Sequence, residues 1–421
     1  MKKWFQLALF NLFILAFLGL MLRYKTVFSL PFLEYTNLLH AHSHFGFGGW
    51  ISFLLQLLIL TEFTDDYNTA TAFWNRFFLA STILNYAMIV SFAATGYGAI
   101  SIVLSTISLF LSYIFCYKVY KAIPGNVNEN VSTAFAKAAM FFLVVSSIGP
   151  YGLGISMATK ASGNMQHNAL YFFLYFQYAG WFTFGILSFL FKKLESYKSY
   201  NRKTASTVFN LFLFSCTPAY LFVCAFDERS IAITIILIAT AIVQIIGLSS
   251  LAKLIVANKD HFFSSHHRVV KGLYCIAIVS FALKFALKFL SIHPALEQLS
   301  ATSRPITIAY LHLVFLCFVS IYLVAMLVEK GTIAINTRAG FIGTTTFVAG
   351  VIINEVFLTF QGISALFGLY PQRLPILLLA NTIVMASGAL LVFIASVKTI
   401  KSINYSLHLN TKPLKITSWK L

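Results

Sequence analysis

Twelve stretches of mostly apolar residues follow one another along the chain, and no other feature constrains its fold more. They cover residues 5–22, 38–61, 73–93, 97–120, 132–157, 168–191, 205–225, 231–255, 269–291, 305–328, 338–360 and 374–398, separated by polar or Gly/Pro-bearing segments. Roughly 20 apolar residues suffice for a helix to cross the hydrocarbon of a bilayer. The runs are too long and continuous for the alternating pattern of an outer-membrane β-barrel. The expected fold class is therefore an all-α integral membrane protein of twelve transmembrane helices, bathed in lipid. Composition agrees: 59% of the 421 residues are hydrophobic and 10% charged, whereas soluble domains are about a quarter charged. An ordinary soluble enzyme, a disordered chain and a nucleic-acid binder are excluded.

The net charge of +18 reads as topology, because most of the lysines and arginines lie in the short segments between runs. With both termini cytoplasmic, 22 of the 30 basic residues lie in or nearest the inner segments and 8 in or nearest the outer ones. This asymmetry predicts both termini inside, in the cell's inner membrane. The first run follows MKKW, lacks a small-x-small cleavage site and is closed by Arg23, so it reads as an uncleaved span. The cysteines, Cys116, Cys216, Cys224, Cys275 and Cys317, sit inside apolar runs without CxxC spacing and read as packing residues.

An internal repeat organises the runs. The second carries HFGFGGWISF from His44, the sixth YFQYAGWFTF from Tyr175 and the tenth HLVFLCFVSI from His312, 131 and 137 residues apart. Phe45, Gly49, Trp50 and Phe53 match Phe176, Gly180, Trp181 and Phe184, Ser52 faces Thr183, and the third window keeps the histidine, Phe315 and Ser320. Each interval corresponds to four runs. One domain of three pseudo-symmetric four-helix units is expected, with units of about 1–125, 126–258 and 259–421.

The stretch HAHSHFGFGGW holds His40, His42 and His44 at the start of the second run. At about 100° per residue, His40 and His44 share a face while His42 points to nearly the opposite side. The repeat aligns His44 with His312, which lies roughly 12 Å into its own run by helical rise. Polar, metal-competent side chains at such depth face protein or a cavity. Two neutral imidazoles on symmetry-related helices can ligate one iron from both sides, as a six-coordinate haem requires. Trp50 and the neighbouring phenylalanines suit a flat apolar ring, and Gly46, Gly48 and Gly49 offer a patch free of side chains. The alternative for these glycines is close helix packing.

Twelve spans, three four-helix units, and His44 and His312 on spans two and ten resemble the catalytic subunit of the haem–copper oxidase superfamily over essentially the whole chain. The resemblance implies a b-type haem held by histidines of spans two and ten near the outer face, an oxidoreductase-type role in electron transfer or the handling of O2 or NO, an electron donor such as a quinol or a cytochrome, and small partner subunits. The chain departs from that pattern at the second metal centre. Tyr310 stands where the first histidine of the family's span-ten His-x-His motif is expected, span six has Tyr175 at the symmetry position, and span seven has no histidine. A conventional copper centre is not supported, and a relocated metal site would draw on His42, His40 and His167. The HAHSHFGFG stretch is also similar to the start of the NnrS family, membrane haem and copper proteins linked to nitric-oxide response, with Ser43 in place of an acidic residue.

Lys284 and Lys288, four apart near the outer end of the ninth run, are candidates to pair with haem propionates, or simply snorkel. Glu355 and Asn354 sit at intramembrane depth, where an acid hints at a proton or ion path. Tyr175, Gln177, Tyr178 and Trp181 line a quinol or haem cavity or pack helices. His261, His266 and His267 read as a solvated loop. A secondary transporter using Glu355, Lys284 and His44 is the alternative function; transporters commonly show two halves, so three units favour the haem protein.

Overall fold

The computed structural model describes residues 1–124, 130–224, 229–264, 267–369 and 371–410. Among these every regular element is helical. We number the principal helices α1 (Lys2–Val27), α2 (Tyr35–Phe63), α3 (Thr71–Thr95), α4 (Ala99–Ala122), α5 (Val131–Ala158), α6 (Gly163–Leu194), α7 (Arg202–Cys216), α8 (Ile231–Ala257), α9 (Arg268–Leu290), α10 (Arg304–Glu329), α11 (Arg338–Leu366) and α12 (Leu374–Asn410). Eleven of them are long and apolar enough to cross a membrane, and the chain is a multi-pass membrane protein. The exception lies in the seventh run, where the α-helix has 15 residues and gives way after Thr217 to a 3-10 segment, Pro218–Val223. Pro218 lacks an N–H and crowds the preceding turn, which ends the α-helix there.

Helices neighbouring in sequence pack side by side, and α12 meets α1, α4 meets α5, and α8 meets α9. The helices between α2, α6 and α10 thus pack in arcs that meet at these three. These three central helices are the ones carrying the repeated windows. Their C-terminal halves, such as Phe53–Leu60 and Phe182–Phe191, are buried throughout. By contrast α4 and α8 turn Ile100, Val103, Phe110, Ile231, Ile235 and Ile242 outward. With apolar surface facing lipid as well as core, association depends on close packing and polar contacts rather than on hydrophobicity. At α11–α12, Gly343 and Gly388 let backbones meet: a Cβ on either would lie 2.8 Å or less from main-chain atoms of the other helix.

Each central helix contains a π-helical stretch at the same place in its window: Gly46–Ser52, Phe176–Phe182 and Leu313–Ser320. Such wide turns re-aim the side chains that follow them. Three phenylalanines, Phe47, Phe182 and Phe315, meet there with ring centroids 4.9, 5.6 and 6.1 Å apart and fill the centre. Around them lie three side-chain hydrogen bonds. Trp50 Nε1 of α2 donates to Ser320 Oγ of α10 at 2.8 Å, and Trp181 Nε1 of α6 donates to Ser52 Oγ of α2 at 3.0 Å. The third link has Phe318 where a tryptophan would stand, so Lys284 Nζ of α9 supplies the donor to Thr183 Oγ1 of α6, at 3.0 Å.

The far ends of the same three helices are tied by charge. Glu62 of α2 pairs with Lys192 of α6 and Lys330, which follows α10. Glu329 of α10 accepts from Lys193 of α6 at 2.9 and 3.0 Å and from Tyr274 Oη of α9 at 2.6 Å. Glu62, Lys193 and Lys330 occupy equivalent places, each 18 residues after the first residue of its window.

Two substitutions test these ties. Ser320→Ala leaves the Trp50 indole N–H buried without an acceptor and is expected to cost about 1–2 kcal/mol; thermal unfolding in detergent should show Trp50→Phe/Ser320→Ala well short of the sum of its single changes. Glu62→Gln leaves Lys192 and Lys330 facing each other at a partly exposed site. A loss of about 1 kcal/mol is expected, shrinking in high salt.

Candidate functional site

The N-terminal halves of the central helices differ from their C-terminal halves. From Arg304 to His312 no residue of α10 is fully buried, and His40, His42 and His44 all keep accessible surface. His312 is likewise only partly buried.

His40 and His44 lie on one side of α2 and His42 on the other, as their spacing dictates. His44 stacks on Phe92 of α3 with centroids 4.1 Å apart and bonds Tyr97 Oη at 3.1 Å through Nε2. His40 packs edge-on against the same tyrosine at 4.6 Å. Neither is placed toward His312. The imidazole within electrostatic reach of His312 is His42, and both feel the charge of Arg23 at the end of α1. The expected facing of His44 and His312 is thus not what the contacts of His44 show, and His42 is the histidine on which His312 acts. Repeat-equivalent residues on helices related by rotation point into different seams of the bundle. Two side chains that face each other across one seam come from non-equivalent positions.

The pair is set up as donors. His312 Nδ1–H donates to the Ile308 carbonyl at 2.8 Å, which fixes the tautomer and leaves the Nε2 lone pair free. His42 Nδ1 is buried with no hydrogen-bond partner. Its ring lies against Gly19 of α1, where a Cβ would stand 3.3 Å from Cε1. Arg23 and Gly19 are the members that sequence reasoning missed. Arg23 read only as the end of a span, and nothing local marks Gly19 as the floor for a ring from another helix. The Tyr310 hydroxyl, two residues before His312, is also buried without a partner.

Other predicted residues lie elsewhere. A Cβ on Gly48 would meet Asn85 Oδ1 at 2.5 Å and one on Gly46 would meet Leu15 at 3.3 Å, so the glycine patch serves helix packing. Trp50 is wholly buried as a brace to Ser320. Lys284 and Lys288 sit against α6 among Thr183, Tyr175 and Tyr178. His167 stacks on Tyr171 and reaches the Val223 carbonyl at 3.4 Å, and no group of three or more His, Cys, Asp or Glu side chains able to hold a metal occurs among the described residues. His42, His40 and His167 are not brought together. Glu355 Oε1 is buried and unpartnered on α11. His261 stacks on Tyr197, and His267 caps α9 by accepting from Val269 N. His266 lies outside the described residues.

No family model matches the chain, and the search of curated proteins returns no match.

Gly19→Val should push the His42 ring off α1 and cost about 1–3 kcal/mol of stability. Gly154→Ala, where nothing lies within 4 Å of the added Cβ, should leave thermal unfolding unchanged or raise it slightly.

Proposed function

We propose that this protein is a haem-binding membrane protein of haem–copper oxidase type, with one b-type haem held between His42 and His312 for electron transfer or the handling of O2 or NO. The observation that carries this reading is the pair itself. Two imidazoles come from separate central helices, one with its Nδ1–H committed to a carbonyl and the other with a buried ring nitrogen that has no hydrogen-bond partner. Such donors suit axial ligation of iron. When bound, the haem would supply one-electron chemistry or a site for a diatomic gas.

The chain's own residues have separable parts in this reading. Ile308 orients His312 by holding its Nδ1–H. Gly19 leaves room for the His42 ring. Arg23, beside both, supplies positive charge for the acidic edge of the macrocycle. Phe47, Phe182 and Phe315 close the centre of the bundle and exclude water.

The architecture belongs to the same proposal. Twelve spans in three four-helix units, with both termini cytoplasmic in the inner membrane, agree with the three π-helical turns, the tryptophan–serine bonds between windows and the seams α12–α1, α4–α5 and α8–α9. A quinol or a cytochrome is the proposed electron donor, and small partner subunits belong to the resemblance. A copper centre is not part of the proposal. Where the family places it, this chain presents Tyr175, Tyr310 and two lysines.

Absorption spectra of detergent-purified protein from haem-replete cells, oxidised and dithionite-reduced, test the reading. Sharp reduced bands are expected, lost in His42→Ala and in His312→Ala and retained in His44→Ala. A colourless wild-type protein would overturn the haem, and bands lost in His44→Ala but kept in His42→Ala would overturn the assignment of the pair.

A further inference from the structure

Two lysines of α9 are buried against α6, beside α7 and α8, and among the described residues neither has an ion-pair partner. Lys284 is 2% exposed and Lys288 6% exposed. They are four residues apart on α9, so they share a face. Together with Tyr175, Ala179, Thr183, Phe184, Phe212, Cys216, Gln244 and Phe285 they line a cavity of about 20 Å3. No carboxylate contributes to this lining.

Ring faces and one hydroxyl offset part of the cost of burying the two ammonium groups. Lys288 Nζ lies 4.3 Å from the centre of the Tyr175 ring and 5.6 Å from those of Tyr178 and Phe222. Lys284 Nζ lies 5.3 and 5.1 Å from the Phe281 and Phe285 rings while donating to Thr183 Oγ1. Ring faces attract cations, and more so away from water. They do not neutralise them. Two like charges on one helix face inside a protein call for a counter-charge, and no carboxylate among the described residues lines the cavity. Of the nearby hydroxyls, Tyr175 Oη is committed to the Cys216 carbonyl and Thr183 Oγ1 to the Tyr178 carbonyl. Gln244, 4% exposed, lines the same cavity with Oε1 unpartnered, and rotation of its amide would present an N–H instead.

We infer that Lys284 and Lys288 form a binding site for one small monovalent anion of halide size, held between the two ammonium groups with Gln244 beside it. The size follows from the cavity, since room for a single water-sized particle requires roughly 10–15 Å3 in this measure. The site occupies a different seam from His42 and His312 and does not depend on haem.

Equilibrium binding of radioactive chloride (36Cl−) to the detergent-purified full-length protein tests it, with gluconate as the competing control. About one chloride per chain is expected, unaffected by gluconate, and at least tenfold weaker in Lys288→Met and in Lys284→Met, which keep the apolar stem. Should either variant fail to fold, bromide soaked into crystals of the wild-type protein decides the matter: an anomalous peak between the two lysines supports the site. No chloride bound by the wild-type protein, binding unchanged in both variants, or bromide found only elsewhere would overturn it.

Discussion

The bonds from Trp50 to Ser320 and from Trp181 to Ser52 join α10, α2 and α6, and a third, from Lys284 to Thr183, ties α9 to α6. Inside an apolar bundle an indole N–H or an ammonium group has no water to turn to, so each must find an acceptor on a neighbouring helix. That requirement sets the rotation and depth of α2, α6 and α10 relative to one another. The π-helical turns just before the serine and threonine acceptors aim them. The phenylalanines at the centre then pack against a register already chosen by polar atoms.

Rotation also explains why the histidines pair as they do. A cyclic arrangement carries a residue of α2 onto its equivalent in α10 but turns the direction in which it points, so equivalents look into different seams. The tryptophan–serine links obey the same rule: Trp50 of one window bonds Ser320 of another, two positions further along. His312 accordingly lies near His42 and not near His44, its counterpart by alignment. Where Phe318 replaces the third tryptophan, the third acceptor, Thr183, is met from outside the central helices by Lys284. This substitution brings a cation against α6 and gives that seam a character unlike the one containing the histidines.

Packing is uneven along the axis of the bundle. The ends holding Glu62, Lys192, Lys193 and Glu329 are clamped by ion pairs and follow fully buried turns, whereas no residue from Arg304 to His312 is fully buried. A bundle clamped at one end and less buried at the other can hold a rigid ligand without surrendering the contacts that define its fold.

Much of this was legible in the chain itself. Apolar runs long enough to span a bilayer determined an all-helical membrane protein, because backbone polar groups in lipid must be satisfied within the helix. Equal spacing of the three windows pointed to α2, α6 and α10 as a related set, and the 100° step separated His42 from His40 and His44. Only the tertiary structure decided which face of α2 meets α10, since the angle between helices is set by packing and not by periodicity. It likewise put Gly48 against Asn85, drew Arg23 and Gly19 to the histidine pair, and buried Lys284 and Lys288 away from it. These contacts join residues tens to hundreds of positions apart, and no local pattern encodes which distant side chain fills a given space.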